Sequence, residues 1–113
     1  MKKLLFVLLT LLTLHSFGQG IILKTTSESL ELLTSSAADI DFQANWVDIV
    51  LASGATPGTT EGKITSATTT VLVAAPASST YRSIKSITVK NIHASTANTV
   101  RFKKDISATE YQL

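Results

Sequence analysis

The sequence predicts an all-β protein, a single antiparallel β-sandwich or jelly-roll-like domain. After residue 18, Thr, Ser, Ala, Val and Ile dominate the composition, and β-branched residues are enriched in strands. Several short segments alternate apolar and polar residues with a period of two, and turn-forming residues separate them. Short alternating segments at regular intervals are typical of two packed antiparallel sheets.

The N-terminus predicts an export signal. Two lysines precede an apolar, Thr-containing stretch from Leu4 to Leu14, and small residues follow at Ser16 and Gly18. The apolar stretch is about half of the ~20 residues that a membrane-spanning helix needs. We therefore expect residues 1–18 to be removed, which leaves one domain at residues 19–113. The alternative is a retained hydrophobic arm, and only that arm would contact a membrane.

Charge and cysteine content narrow the classes of partner. The chain has ten Lys and Arg against eight Asp and Glu, so removal of Lys2 and Lys3 leaves eight of each. A neutral domain gives no support for a nucleic-acid partner. There is no cysteine to form a disulfide, and a domain of roughly 95 residues has a small core. These features favour self-association or membership of a larger protein assembly.

The first half of the domain reads as three strands. Residues 21–26 form a short strand or an extended arm. For the next segment a strand at Leu30–Thr34 is favoured over one or two helical turns. Residues 39–51 alternate cleanly, but the apolar phase changes after Trp46, which predicts a β-bulge within Asn45–Val47.

The next segment predicts an exposed loop. Residues 53–62 hold three of the five glycines and one of the two prolines. A strand follows within residues 63–75, with Val71 and Val73 in phase, and it ends before Pro76 because proline cannot donate to a ladder.

The second half predicts a strand at residues 81–93, a turn at 94–98, a strand at 99–104 and a last strand ending at Leu113. In the first of these, Ile84 and Ile87 have opposite parity, which indicates a bulge or burial on both faces. We expect the strands on either side of the turn to pair, and to share one core through Ile87, Val89, Val100 and Phe102.

No set of residues predicts catalysis. Asp39 and Asp41 share a face but lack the spacing of a calcium loop, so a solvated outer face is favoured. His93 has no Asp or Cys at a suitable spacing and is interpreted as stabilising a turn. Phe42 and Trp46 are interpreted as core residues rather than as a platform on which a carbohydrate stacks. No catalytic, cofactor or metal residue is assigned, and no enzymatic activity is expected.

A candidate contact surface comes from exposed aromatic residues and open strand edges. Tyr81 follows a loop, and Tyr111 and Leu113 lie on a last strand whose outer edge is free. The Thr-rich segment at Thr68 to Thr70 is a candidate receiving edge for another chain.

The C-terminal part of the chain resembles a group of small phage-encoded proteins found among virion and tail genes. The shared pattern is a Thr-rich segment leading into Ala-Ala-Pro, an Arg, an Ile-x-x-Ile-x-Val-x-Asn strand and a His-Ala-Ser turn. Here these are Thr68–Pro76, Arg82, Ile84–Asn91 and His93–Ser95, and the resemblance extends over roughly residues 25–113. It implies a β-rich structural protein without catalytic activity.

Together these observations predict a structural or attachment module of a phage-like virion or surface assembly. Its expected location is exported, meaning periplasmic or extracellular, or virion-associated. The alternative is a secreted carbohydrate-binding or cell-surface-binding module that uses the loop at residues 53–62.

Overall fold

A computed structural model describes residues 20–113, so the predicted export signal lies outside the described residues. This part of the chain forms eight β-strands and no helix. The strands are β1 (Ile22–Leu23), β2 (Glu28–Thr34), β3 (Ile40–Val50), β4 (Gly54–Ile64), β5 (Thr69–Val73), β6 (Thr80–Asn91), β7 (Val100–Ile106) and β8 (Thr109–Gln112). The prediction of an all-β protein is confirmed.

The strands form two antiparallel sheets. The first sheet has the order β1-β6-β3-β4, and the second has the order β5-β2-β7-β8. Only the β3–β4 and β7–β8 connections stay within one sheet, and the other connections cross between sheets. The two sheets are therefore tied together along the whole described chain. The jelly-roll arrangement stays a prediction.

Both sheets contribute to one core. Strand β2 alternates strictly, with Leu30 and Leu32 fully buried on one face. Strand β3 begins with the same period, and Ile40 and Phe42 point towards the second sheet. The core cluster consists of Leu23, Leu30, Leu32, Ile40, Phe42, Ala44, Ile64, Leu72, Val73 and Ile84. Burial of these side chains is the main force that holds the sheets together.

The predicted β-bulge is present between Asn45 and Trp46, in the pairing of β3 with β6. The extra residue is Lys85 of β6, because Asn45 pairs with Ser86 whereas Trp46 pairs with Ile84. The bulge lets Ile84 and Ile87 both pack on the core side despite their opposite parity. The β3–β4 register has no shift, so the expected change of phase within β3 is wrong.

The prediction of a loop at residues 53–62 is wrong. Residues 54–64 form β4, which pairs with β3 along its whole length. Two of the three glycines of β4, Gly58 and Gly62, are needed inside the strand because aromatic rings of β3 lie across them. A Cβ atom at Gly58 would lie 2.6 Å from the Trp46 ring, and one at Gly62 would lie 3.1 Å from the Phe42 ring. Pro57 is tolerated because β4 is an edge strand.

The predicted pairing across the turn at residues 94–98 is also wrong. Strand β6 belongs to the first sheet and β7 to the second, so this connection crosses the core. The expected side chains nevertheless border one core from opposite sides; they are Ile87, Val89, Val100 and Phe102. Their alternation predicts which side chains face inward, but it does not specify the partner strand.

Candidate functional site

The two sheets are offset, and the second sheet extends beyond the first on one side. Strand β5 contacts β3 and β4, and β2 contacts β1. The Lys104 ammonium in β7 donates to the backbone carbonyl of Ile22 in β1, at 3.0 Å. Strand β7 therefore lies opposite the edge of the first sheet. Strand β8, which follows β7 in the second sheet, lies beyond that edge.

The offset leaves apolar side chains uncovered. Tyr111 is paired with Lys104, and the Leu113 N–H donates to the Phe102 carbonyl, so both side chains share the inner face of the second sheet. They are nevertheless 52% and 57% exposed. We call the inner-facing side of Tyr111 and Leu113 the overhang. An apolar face that points inward and still meets solvent is a candidate contact surface.

Three of the four sheet edges are unsuited to pairing with another chain. The edge strand β4 contains Pro57 and three glycines, β5 is short and bulged at Leu72, and β8 has four residues with a charged Glu110. Proline, bulges, charge and short length are the usual ways in which edges are blunted.

The fourth edge is the free part of β6. The two residues of β1 pair only with Arg82 and Ser83, and one more bond joins the Ile84 N–H to the Ile21 carbonyl. Within residues 20–113, no strand pairs with the outer side of residues 85–91. This segment, which we call the free β6 edge, has no Pro or Gly, but it carries the bulged Lys85 and a second lysine, Lys90. The sequence-based expectations did not include this edge, although they included the strand itself.

An ion pair between β7 and β2, within the second sheet, lies beside the overhang, and its lysine also donates to Ile22 of the first sheet. The Lys104 Nζ atom lies 2.8 Å from Glu28 Oε2, and the Lys24 N–H donates to the same oxygen at 2.9 Å. Burial opposes ionisation of Glu28, but the hydrogen bonds from Lys104 and Lys24 outweigh it and lower the pKa of the carboxyl. The strand next to the overhang, β7, is therefore bonded through Lys104 to both β2 and β1.

Trp46 is held by its neighbours rather than presented for stacking. The Arg82 guanidinium carbon lies 4.8 Å from the centroid of the indole ring. Arg82 also donates to both Asp48 oxygens, at 2.6 and 2.8 Å, and to the Ala74 carbonyl. The hydrogen bonds from Arg82 lower the pKa of Asp48 against a smaller opposing effect of burial. With Gly58 beneath the ring, this cluster serves packing, which agrees with the structural interpretation of Trp46.

Tyr81 lies on a different surface from the overhang. It pairs with Ile49 and faces outward from the first sheet, where it is 43% exposed. Together with Leu51 and Val50 it borders a shallow depression of about 320 Å³ at the end of the β3–β4 hairpin. This is the second apolar surface of the described chain.

The predicted receiving edge lies on the opposite side of the second sheet. Thr70 belongs to β5, and Thr68 precedes that strand. The Thr68 backbone is already bonded to Thr34 through both its N–H and its carbonyl. The structure therefore does not bring Tyr81, the Thr68 to Thr70 segment and the overhang together.

Asp39 and His93 have local partners, and Asp41 faces solvent. Asp39 lies 3.8 Å from the Lys63 ammonium, and Asp41 is exposed on the outer face of the first sheet. His93 Nδ1 accepts hydrogen bonds from the N–H groups of Ser95 and Thr96, at 3.3 and 3.0 Å, as expected for a turn-stabilising histidine. No group of three or more metal-ligating side chains occurs among residues 20–113.

No family model, curated protein or solved structure matches this chain. The resemblance to phage virion and tail proteins therefore stays a prediction. Among the described residues, no helix is long and apolar enough to span a membrane.

Proposed function

We propose that the protein is a non-enzymatic structural or attachment module, folded as a β-sandwich, that assembles with copies of itself or with a larger scaffold. The resemblance to phage virion and tail proteins and the predicted export signal support a role in a virion or in an exported surface assembly. The observation that carries the proposal is the overhang, an inward-facing apolar surface that no strand of residues 20–113 covers.

Physical considerations support an assembly role. Burial of exposed apolar area contributes roughly 25 cal/mol per Å², so covering a tyrosine and a leucine side chain is a sizeable gain for a small domain. The domain carries equal numbers of acidic and basic residues once the signal is removed, so little net repulsion opposes contact between copies.

Sedimentation of the protein, as recovered after export, tests this role. We expect association that increases with concentration and is lost in the double variant Tyr111→Ser, Leu113→Ser. Tyr81→Ser is the matched control, since it removes an aromatic ring of similar exposure from another face. A protein that stays monomeric at all concentrations would refute the proposal, and a loss of association only in Tyr81→Ser would move the interface to the outer face.

The second candidate function, a secreted carbohydrate-binding or cell-surface-binding module, now needs another site. The segment predicted to form its binding loop forms strand β4 instead. The Trp46 ring packs against Arg82 and Gly58 and is not free for stacking on a sugar. The exposed Tyr81 beside the depression at the β3–β4 hairpin is the surface that favours this function. Glycan binding that is abolished by Tyr81→Ser would support it.

A further inference from the structure

The outer face of the first sheet is polar at one end and apolar at the other. In β3 the residues that alternate with the inward-facing ones face outward; they are Asp41, Gln43, Asn45, Val47 and Ile49. The first three are polar and the last two are apolar. Tyr81 of β6 pairs with Ile49, and Pro57 of β4 pairs with Val47, so the apolar end extends across three strands. A half-exposed tyrosine ring on such a surface is suited to a ligand that is partly apolar and partly polar.

One cation borders this apolar end. Lys24 follows β1, and continuing the antiparallel register of β1 with β6 places Lys24 beside Tyr81. Both residues border the depression at the β3–β4 hairpin. None of the ion pairs formed within residues 20–113 includes the Lys24 ammonium. The Glu28 carboxylate, which accepts the backbone N–H of Lys24, is paired with the Lys104 ammonium instead.

The segments around the depression carry no competing acid. Residues 49–60, which form the tip and the second strand of the hairpin, contain no Asp, Glu, Lys or Arg, and neither do residues 64–81. Asp48 precedes the first segment, but both of its oxygens accept hydrogen bonds from Arg82. Lys24 therefore gives this end of the sheet a local positive charge, which favours an anionic ligand.

A strained turn brings a hydroxyl group to the same depression. The Thr80 N–H donates to the Ala77 carbonyl at 3.2 Å, and Ser79 within this turn has a φ of 58°. Glycine is favoured at such a position, so a serine there costs stability. Residues in strained conformations are concentrated at functional sites. Because Ser79 lines the depression, its hydroxyl group is a candidate donor to a bound ligand.

We propose that this depression binds an acidic sugar residue of a surface glycan. The sugar ring stacks on Tyr81, its carboxylate accepts a hydrogen bond from the Lys24 ammonium, and a hydroxyl group bonds to Ser79. This inference rests on the second candidate function and names its class of ligand. The volume of about 320 Å³ lies at the lower end of the range of ~300–1,000 Å³ that is usual for ligand sites, which favours a single sugar residue.

The proposed site is compatible with the assembly role. It lies on the outer face of the first sheet, whereas the overhang lies on the inner face of the second sheet. One molecule can therefore bind a glycan and contact another copy at the same time. Removal of residues 1–18, as predicted, leaves only Gln19 before the described chain, so the exported protein is the form to test.

Matched glycans test the charge of the ligand. Oligomers of galacturonate, alginate and hyaluronate are each compared with their methyl esters, which keep the sugar rings and lose the carboxylate charge. By isothermal titration calorimetry, we expect at least one acid to bind about fivefold more tightly than its ester, and Lys24→Gln to abolish this difference. Lys24→Arg should retain it. Lys90→Gln is the control, since Lys90 is an exposed lysine at the polar end of the same face.

Variants of the ring and of the strained turn test the rest of the site. Tyr81→Ser should abolish binding of the acid and of its ester, whereas Tyr81→Phe keeps the ring and should retain most of the binding. Ser79→Gly removes the hydroxyl group and relieves the positive φ, so we expect a higher melting temperature together with several-fold weaker binding. Weaker binding in a more stable variant cannot result from unfolding.

The outcomes separate this inference from the function on which it rests. If acids and esters bind equally and Tyr81→Ser abolishes both, the anionic ligand is wrong and the carbohydrate-binding function stands. If no glycan binds, both are wrong, and binding only to vesicles of phosphatidylglycerol would assign the surface to a lipid headgroup instead. Glycan binding that neither Lys24→Gln nor Tyr81→Ser changes would overturn the site.

Discussion

The two edges of the first sheet are built in different ways. At one edge, β4 contains Pro57, Gly58 and Gly62, and aromatic rings from β3 lie across these two glycines. At the other edge, β1 covers only two residues of β6, and the rest of that strand carries a bulge at Lys85 and a second lysine, Lys90. Proline and glycine blunt the first edge, and a bulge and charge blunt the second. The comparison directs attention away from the edges of this sheet and towards the overhang as the candidate contact surface.

The largest expected loss of stability distinguishes a fully buried core residue from one that borders the uncovered side of the second sheet. Leu32 and Phe102 are cross-strand partners, but Leu32 is fully buried whereas Phe102 borders the uncovered side. We expect Leu32→Ala to lower the free energy of unfolding by ~2–5 kcal/mol. Phe102→Ala should cost less in dilute protein, since part of its ring already meets solvent. Denaturant unfolding of both variants measures this, and equal losses would show that Phe102 is enclosed.

A smaller loss of stability tests the packing of the β4 edge strand. Gly58→Ala would bring a methyl group into steric clash with the Trp46 ring and displace the ring from Arg82. We expect a loss of ~1–3 kcal/mol in the free energy of unfolding. Gly62→Ala is the matched control, because its Cβ lies 3.1 Å rather than 2.6 Å from a ring and should cost less. If both substitutions are neutral, the aromatic rings do not require glycine at these two positions.

The ion pair at the base of the overhang should make stability depend on pH. The folded protein lowers the pKa of Glu28 below its ordinary value of 4.5. The resulting stability is therefore present above pH 4.5 and is lost as the pH falls through the lower folded pKa. We expect Glu28→Gln to cost ~1–2 kcal/mol at neutral pH, and to flatten the acid limb of a plot of melting temperature against pH. Glu61→Gln, an exposed carboxyl on β4, is the control and should leave the acid limb as in the wild type.

The smallest effect concerns the turn that carries the overhang. Ser107 and Ala108 join β7 to β8 with φ of 51° and 66°, values that cost a non-glycine residue ~1–2 kcal/mol. Ala108→Gly should therefore raise the free energy of unfolding by about 0.5 kcal/mol after the entropy of the unfolded chain is included. Ala97→Gly lies in a loop without positive φ and should lower stability instead. Thermal unfolding of the two variants checks the difference in sign.

The sequence predicted what depends on local alternation. The strands around Leu32, Phe42, Val89 and Phe102 follow from period-two patterns, and the bulge follows from the opposite parity of Ile84 and Ile87 in β6.

What the sequence could not predict depends on contacts between distant residues. The glycines of β4 look like loop residues until the rings of Trp46 and Phe42 are placed over them. The pairing of β6 with β7 failed because a turn at residues 94–98 can either close a hairpin or cross to another sheet, and alternation is the same in both cases. The offset that creates the overhang arises from the order of strands in both sheets, which no single segment encodes.

Amide hydrogen exchange at several protein concentrations tests the assembly role of the overhang most directly. Covering Tyr111 and Leu113 in an assembly would reduce local opening of β8, whereas β4 lies at a distant edge of the other sheet and would be unaffected. We predict that protection in peptides covering residues 109–113 rises with concentration, and that protection in peptides covering residues 54–64 does not change. Protection that is independent of concentration in both segments, or that rises only in residues 54–64, would contradict the account.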